Sequence, residues 1–336
     1  MSLERTAEFT TVINNYNYAD YLRDAIESVL AQTEPVRLIV VDDGSTDHSR
    51  EIIASYGDRL TPVLRENGGQ VSACLAGLER VDTPYVHFLD ADDRLLPDFA
   101  AKIRAALASS PTKVQCRMQS IDAGGARLPS VFPSFPDGYD SAAMLHDIAV
   151  WSVPISPPTS GNVFATALLA GLQSGYDYEN AIDGVPLFLA PEMGEVVSID
   201  EALVEYRVHG KNKHQQHKLS IEGIEREMTR TRNRLVHFAD LSGRVDLAKQ
   251  AETGGQMLEW EMLANVARGK RPSLSLVLSY IRALTASSQN AKRKLAFSAW
   301  ALALFSLPDA KRRELAVSRQ SSVNRSALLK RLFGSR

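Results

Sequence analysis

The chain has 336 residues, 44% hydrophobic and 23% charged, which suits one catalytic domain plus an extension and excludes disorder throughout. A net charge of −2 offers no basic excess for holding a polynucleotide, so no nucleic-acid partner is expected. Two cysteines far apart, Cys74 and Cys116, exclude a zinc ribbon or a disulfide framework and fit a reducing, cytoplasmic setting.

Glu4 and Arg5 precede the first apolar run and no long apolar stretch with a cleavage site follows, so no secretory leader is expected. The first hundred residues then alternate short apolar runs with amphipathic stretches, the pattern of βαβ units around a parallel sheet. The runs Phe9–Asn14, Leu38–Val41, Thr61–Leu64 and Tyr85–Leu89 are continuous in hydrophobicity, as strands covered on both faces are.

Helices are expected between them. Leu22, Ile26, Val29 and Leu30 share one helical face. A second helix follows Asp43-Gly44-Ser45-Thr46-Asp47, with Ser45 or Thr46 as its cap. Two more span Val71–Arg80 and Pro97–Ala108, the latter with proline in its first turn.

Lys113–Ile121, a turn at Asp122-Ala123-Gly124-Gly125 and six prolines between Pro129 and Pro158 predict irregular segments and edge strands that build an acceptor side. From about Leu219 the chain reads as helical over Ile221–Phe238, Leu247–Arg268, Leu274–Thr285 and Lys294–Phe305, with a boundary expected at Asn212–Leu219. The apolar stretch Leu295–Leu307 is too short to span a bilayer and has basic residues on both sides. It suits either a membrane interface or the core of a helical bundle. Between Lys292 and Arg336 only Asp309 and Glu314 oppose eleven basic residues, a balance that favours an anionic membrane surface.

Two acidic motifs carry chemistry. Val40-Val41-Asp42-Asp43-Gly44-Ser45 runs a strand into a turn with adjacent carboxylates, able either to accept hydrogen bonds from a base or ribose or to shape the turn. Phe88-Leu89-Asp90-Ala91-Asp92-Asp93 does so again, and alternation in extended backbone puts Asp90 and Asp92 on one side. Hard oxygen ligands there select Mn²⁺ or Mg²⁺, which assists a departing diphosphate. No G-x-G-x-x-G follows the first strand and no G-x-x-x-x-G-K-[ST] occurs, which disfavours a nicotinamide dehydrogenase and a P-loop phosphotransferase. A nucleotidyltransferase and a sugar-nucleotide-binding module without catalysis are the readings that compete with a transferase.

With Thr11-Val12-Ile13-Asn14-Asn15-Tyr16-Asn17-Tyr18, Asn67-Gly68-Gly69-Gln70, Ser160-Gly161-Asn162 and Tyr206-Arg207-Val208-His209 added, the chain from about Phe9 to Asn212 resembles the family 2 bacterial glycosyltransferases of GT-A fold. The resemblance implies a Rossmann-like, mostly parallel α/β sheet flanked by helices over residues 1–215, with a helical extension and basic tail over 216–336. It implies an inverting transfer of sugar from a UDP-, dTDP- or GDP-linked donor to a glycan or lipid-linked acceptor in polysaccharide synthesis, at the inner membrane face.

Carried onto these residues, it implies that Tyr16 stacks on the base, that Asp42, Asp43, Asn67, Gly69 and Asp90 bind the donor nucleotide, and that Asp92, Asp90 and His209 take the metal. Asp183 matches the acceptor base. The sequence departs from the family in having Ile182 where Glu is usual, Pro186 where helix normally continues, and Leu75 where Asn is common. Asp177 and Glu179 are the nearest substitutes for Asp183. His214 and His217 follow His209 as incidental loop histidines.

Overall fold

The computed structural model describes residues 7–172, 181–210 and 220–320. The expected strands form β1 (Phe9–Asn15), β2 (Arg37–Asp43), β3 (Thr61–Arg65) and β4 (Tyr85–Asp90), all mutually parallel, with helices α1 (Ala19–Leu30), α2 (Ser49–Ala54) and α3 (Gln70–Leu78) between them. Val12, Ile13, Val40, Val41, Phe88 and Leu89 are at most 1% exposed, which is why these strands are apolar without alternation. Helix α3 lies so close to the sheet that a Cβ on Gly77 would meet Val12 Cγ1 at 2.4 Å.

Beyond β4 come β5 (Arg94–Leu95), α4 (Phe99–Ala106), β6 (Lys113–Asp122), β7 (Arg127–Phe132), α5 (Ser141–Trp151), β8 (Asn162–Ala165), α6 (Pro186–Met193) and β9 (Val196–Val208). The nine-stranded sheet runs β3-β2-β1-β4-β8-β6-β9-β5, with β7 pairing β6. It is parallel through β4 and mixed beyond: β8 is antiparallel to both β4 and β6, and β9 returns parallel to β6. The carboxyl ends of β1, β2, β4 and β9 therefore share one edge.

Several local expectations are corrected. Helix α2 starts at Ser49, too late for Ser45 or Thr46 to cap it; Asp47 Oδ1 accepts the Ser49 N–H instead, at 3.0 Å. Helix α4 starts at Phe99, two residues after Pro97. The proline-rich stretch holds a full helix, α5, because its prolines flank Ser141–Trp151 without entering it. Strand β6 has neighbours on both sides, so it is interior rather than an edge.

The C-terminal part contains α7 (Ile221–Ser242), α8 (Val245–Ala251), α9 (Gly255–Ala267), α10 (Leu274–Ala286), α11 (Ala291–Ser306) and α12 (Asp309–Gln320). The helix expected over Leu247–Arg268 is two, broken at Thr253–Gly254. The boundary expected at Asn212–Leu219 lies outside the described residues.

Two compact units emerge, Met1–Ala142 with Ile155–Val208, and Ala143–Pro154 with His209–Arg336. The second is built on Trp151, Met262, Leu263, Val277, Tyr280, Leu284, Trp300 and Leu304, so most of α5 belongs to it. Gly255 lets α9 pass over Trp151, where a Cβ would meet the indole Cε3 at 2.1 Å. Helix α11 buries Trp300, Ala301 and Leu304 while Leu295 and Leu302 face solvent. No helix among the described residues is long and apolar enough to cross a membrane.

Candidate active site

The registers of β1 against β2 and β4 bring the acidic motifs together. Asn15 pairs with Asp42 and Asn14 with Asp90, so each asparagine side chain reaches across to its neighbouring carboxylate. Asn15 Nδ2 donates to Asp42 Oδ2 and Asn14 Nδ2 to Asp90 Oδ1, both at 3.1 Å.

Asp42 is fully buried, and its oxygens also accept from the Ser45 N–H (3.1 Å) and Arg50 Nε (2.7 Å). It holds the β2 turn from beneath. Asp43, equally buried, accepts from the N–H groups of Gly68 (3.0 Å) and Gly69 (2.8 Å), with the Arg65 guanidinium beside it at 3.2 Å. The exposed Asn67 donates its amide to the Asp43 carbonyl at 3.0 Å.

The loop at the amino end of α3 is thus gathered around one carboxylate, and Gly44 makes the approach achievable. Its φ is +80°, and any Cβ there would lie 2.7 Å from the Asn67 nitrogen. On the other side Asn17, in the left-handed region at φ 58°, donates its N–H to Ser45 Oγ (3.0 Å) and accepts the Thr46 N–H (2.8 Å). That lock fixes the turn carrying Tyr16, whose side chain is 47% exposed at the rim.

At the end of β4, one ligand atom from each of Asp90, Asp92 and Asp93 lies within 4.8 Å of the others. Gln70 Nε2 donates to Asp90 Oδ1 at 2.7 Å, and Ser160 Oγ accepts the Asp90 N–H at 3.1 Å. Burial, then the charge of Asp92, push the Asp90 carboxyl up to about 7 despite the amide donors. Burial and the same neighbours hold Asp93 well above the usual carboxylate range, and Asp93 Oδ2 is buried with no hydrogen-bond partner. Three carboxylates this close together, one with a buried orphaned oxygen, have the donor chemistry a hard divalent cation needs. The residues present therefore fit Mn²⁺ or Mg²⁺.

Asp183 is buried in the turn before α6, where its carbonyl accepts the Leu187 N–H at 3.0 Å. Its charge acts on Asp90 and on Lys113, so it shares the electrostatic neighbourhood of the acidic cluster. Pro186 does not interrupt the segment: it opens α6, where a missing N–H costs nothing. Asp177, Glu179, His214 and His217 lie outside the described residues. His209 is buried at the start of the second unit, directly after β9, and the acidic group contains Asp93 as its third member.

Sequence reasoning singled out no role for several neighbours of this site. Gln70, Asn14 and Ser160 all lay in quoted motifs, yet their bonds to Asp90 depend on register. Tyr18 and Tyr206 have phenols raised by burial and by the three aspartates. Lys113 is wholly buried in β6, donating to Gln115 Oε1 (2.8 Å) and Ser156 Oγ (2.9 Å), and burial lowers its ammonium to about 7 against the opposing pull of Asp183. Nothing local in the sequence marks it.

The curled mixed sheet with its helical C-terminal part is the GT-A fold: TarS from S. aureus, solved with UDP-GlcNAc, superposes with TM-score 0.56 at 16% identity over 93% of this chain and 91% of that one. A mannosyltransferase from Pyrobaculum calidifontis, solved with GDP-Man and Mn²⁺, does so with TM-score 0.50 at 17% identity over 99% and 89%. The model of glycosyl transferase family 2 matches residues 10–138. An uncharacterised glycosyltransferase of a Nostoc species is 30% identical over 263 residues, covering 73% of this chain and 80% of that protein. The chain belongs to glycosyltransferase family 2 and is a glycosyltransferase.

Proposed function

We propose that the protein is an inverting, metal-dependent glycosyltransferase that moves a sugar from a nucleoside-diphosphate donor to an acceptor hydroxyl. The observation that carries this reading is the trio Asp90, Asp92 and Asp93 at the carboxyl end of β4, with the Tyr16 turn and the Asn67–Gly69 loop at the same edge of the sheet and the charge of Asp183 acting on Asp90. The neighbours solved with UDP-GlcNAc and with GDP-Man and Mn²⁺ support a nucleotide-sugar donor, UDP-, dTDP- or GDP-linked.

In this reading Tyr16 stacks on the base. Asp43, Asn67 and Gly69 form the rim that receives the nucleoside, with Asp42 anchoring that rim from below. Asp92 and Asp90 hold Mn²⁺ or Mg²⁺, Asp93 completes the set, and His209 is a candidate further ligand. When bound, the cation offsets the charge that builds on the leaving diphosphate. Asp183 takes the acceptor proton as the acceptor oxygen bonds to the anomeric carbon. The carbon–oxygen bond to the diphosphate breaks in the same displacement and the nucleoside diphosphate leaves with its electron pair, so configuration inverts.

In this reading residues 1–215, apart from the 143–154 segment that belongs to the second compact unit, form the transferase domain, and 216–336 form the helical extension. A glycan or lipid-linked acceptor in cell-surface polysaccharide synthesis at the cytoplasmic face of the membrane fits the basic C-terminus and the outward Leu295 and Leu302.

The test is nucleoside diphosphate release and transfer across UDP-, dTDP- and GDP-sugars with Mn²⁺ or Mg²⁺, for the wild type, Asp92→Ala and Asp183→Asn. Release from one donor, lost in both variants while Asp183→Asn still binds that donor, is the expected result. Pyrophosphate release would instead mark a nucleotidyltransferase, and absence of donor binding would remove the transferase reading.

A further inference from the structure

The acidic turn after β4 is held in shape by a residue outside the acidic motif itself. Arg207, near the end of β9, is 2% exposed despite its guanidinium. Its own N–H donates to Asp93 Oδ1 at 2.9 Å, and its Nε donates to the Asp92 carbonyl at 2.8 Å. One terminal nitrogen reaches the Ala123 carbonyl in the β6–β7 turn at 3.1 Å, and the other reaches Asp24 of α1 at 2.9 Å. Tyr21 packs its ring 4.8 Å from the guanidinium carbon.

One residue thereby ties Asp92 and Asp93 to three separate elements. Planar forks of this kind hold several acceptors in fixed directions, which an ammonium cannot do. The neighbouring pair of β5 with β9 fastens the other end of the same segment, through Arg94 opposite Glu205.

The geometry points to Arg207 as a positioning residue that sets the Asp90–Asp93 turn in the arrangement that binds a divalent cation. The inference rests on the metal reading of that cluster and adds a residue that the motif assignment leaves without a role. Two explanations of a buried arginine beside three carboxylates predict opposite signs. Were Arg207 there only to offset negative charge, removing it would strengthen cation binding. As a strut, its removal lets the turn relax and weakens binding, by roughly 10- to 100-fold, as loss of outer-sphere support does at other metal sites.

The experiment titrates Mn²⁺ into the full chain, with and without UDP or GDP, and reads free Mn²⁺ by electron paramagnetic resonance for wild type, Arg207→Lys, Arg207→Met and Asp24→Asn. The expected order is wild type tightest, Asp24→Asn weaker by a few-fold, and both Arg207 variants weaker by about tenfold or more. Folded fraction is followed by circular dichroism. Folded Arg207→Met with unchanged or tighter Mn²⁺ binding overturns the inference, because a residue that merely stabilises the fold, or merely balances charge, gives that result. Should neither Arg207 variant fold, Asp24→Asn decides: its half-exposed position tolerates the change, and Mn²⁺ affinity equal to wild type overturns the strut. A wild type that binds no Mn²⁺ under either condition removes the metal reading itself, and this inference with it.

Discussion

Lowering the pH from 7 to 5 should destabilise the protein through one buried imidazole. His87 in β4 is fully buried. Its Nε2 is bonded to the Ser160 carbonyl at 2.9 Å and its Nδ1 lies 3.2 Å from Thr11 Oγ1, which together fit one neutral tautomer, with Nε2–H donating and Nδ1 accepting. Burial lowers its pKa from 6.5 to about 4, against the small opposing effect of the Ser160 carbonyl. Between these values the unfolded chain binds the proton and the folded chain does not. Stability therefore rises with pH through the window, and the contribution is lost as pH falls from above 6.5 toward 4. Integrating that difference from pH 7 to pH 5 gives about 2 kcal/mol, and about 3 kcal/mol for the full shift. His87→Gln keeps a donor for Ser160 and an acceptor for Thr11 but does not titrate. Urea unfolding at pH 7 and pH 5, followed by circular dichroism for both proteins, isolates the term, since other titrating groups contribute equally to each. An equal loss of stability in His87→Gln and wild type would refute the reasoning.

Three further outcomes follow from the geometry. Gly44→Ala forces an alanine to φ +80° and its Cβ onto the Asn67 nitrogen, so about 1–2 kcal/mol of strain should appear together with a raised donor KM; an unchanged KM would show that the Asn67 loop is not part of the donor site. Gly255→Ala drives a methyl group into the Trp151 ring, and overpacking of about 1–3 kcal/mol should lower the melting temperature measured by calorimetry. Co-sedimentation with phosphatidylglycerol vesicles should be reduced by Leu295→Glu and by Lys292→Glu, both at exposed positions of α11; a wild type that stays in the supernatant would end the membrane assignment.

The acidic part of the candidate site was legible because its signals are local. Uninterrupted apolar strands ending in Asp42-Asp43-Gly44 and Asp90-Ala91-Asp92-Asp93 announce carboxylates at a sheet edge, and the chain delivers them there. Long-range register was not legible. That Asn14 meets Asp90, that Ser160 covers its N–H, or that Arg207 reaches back to Asp92 follows from which strands are neighbours, and β8 enters the sheet antiparallel between β4 and β6. Helix α5 was missed for a different reason. Met144, Ile148 and Trp151 mark a helical face at i, i+4 and i+7, but prolines on both sides drew attention to the flanks. Lys113 carries no sequence signal, because a lysine in a strand is ordinarily at the surface and only the packing around β6 buries it.

The course of the chain through α5 also bears on how the protein is made. Trp151 leaves the ribosome about one hundred residues before Gly255, the glycine it packs against, and still longer before Tyr280 and Trp300, which complete its surroundings. At roughly 5–20 residues per second, the apolar face of α5 waits about 5–20 s for the first of these partners. Nascent chains stalled in that interval should be the ones that chaperones hold. A gene cut at the end of β9 would produce a chain that never leaves this waiting state.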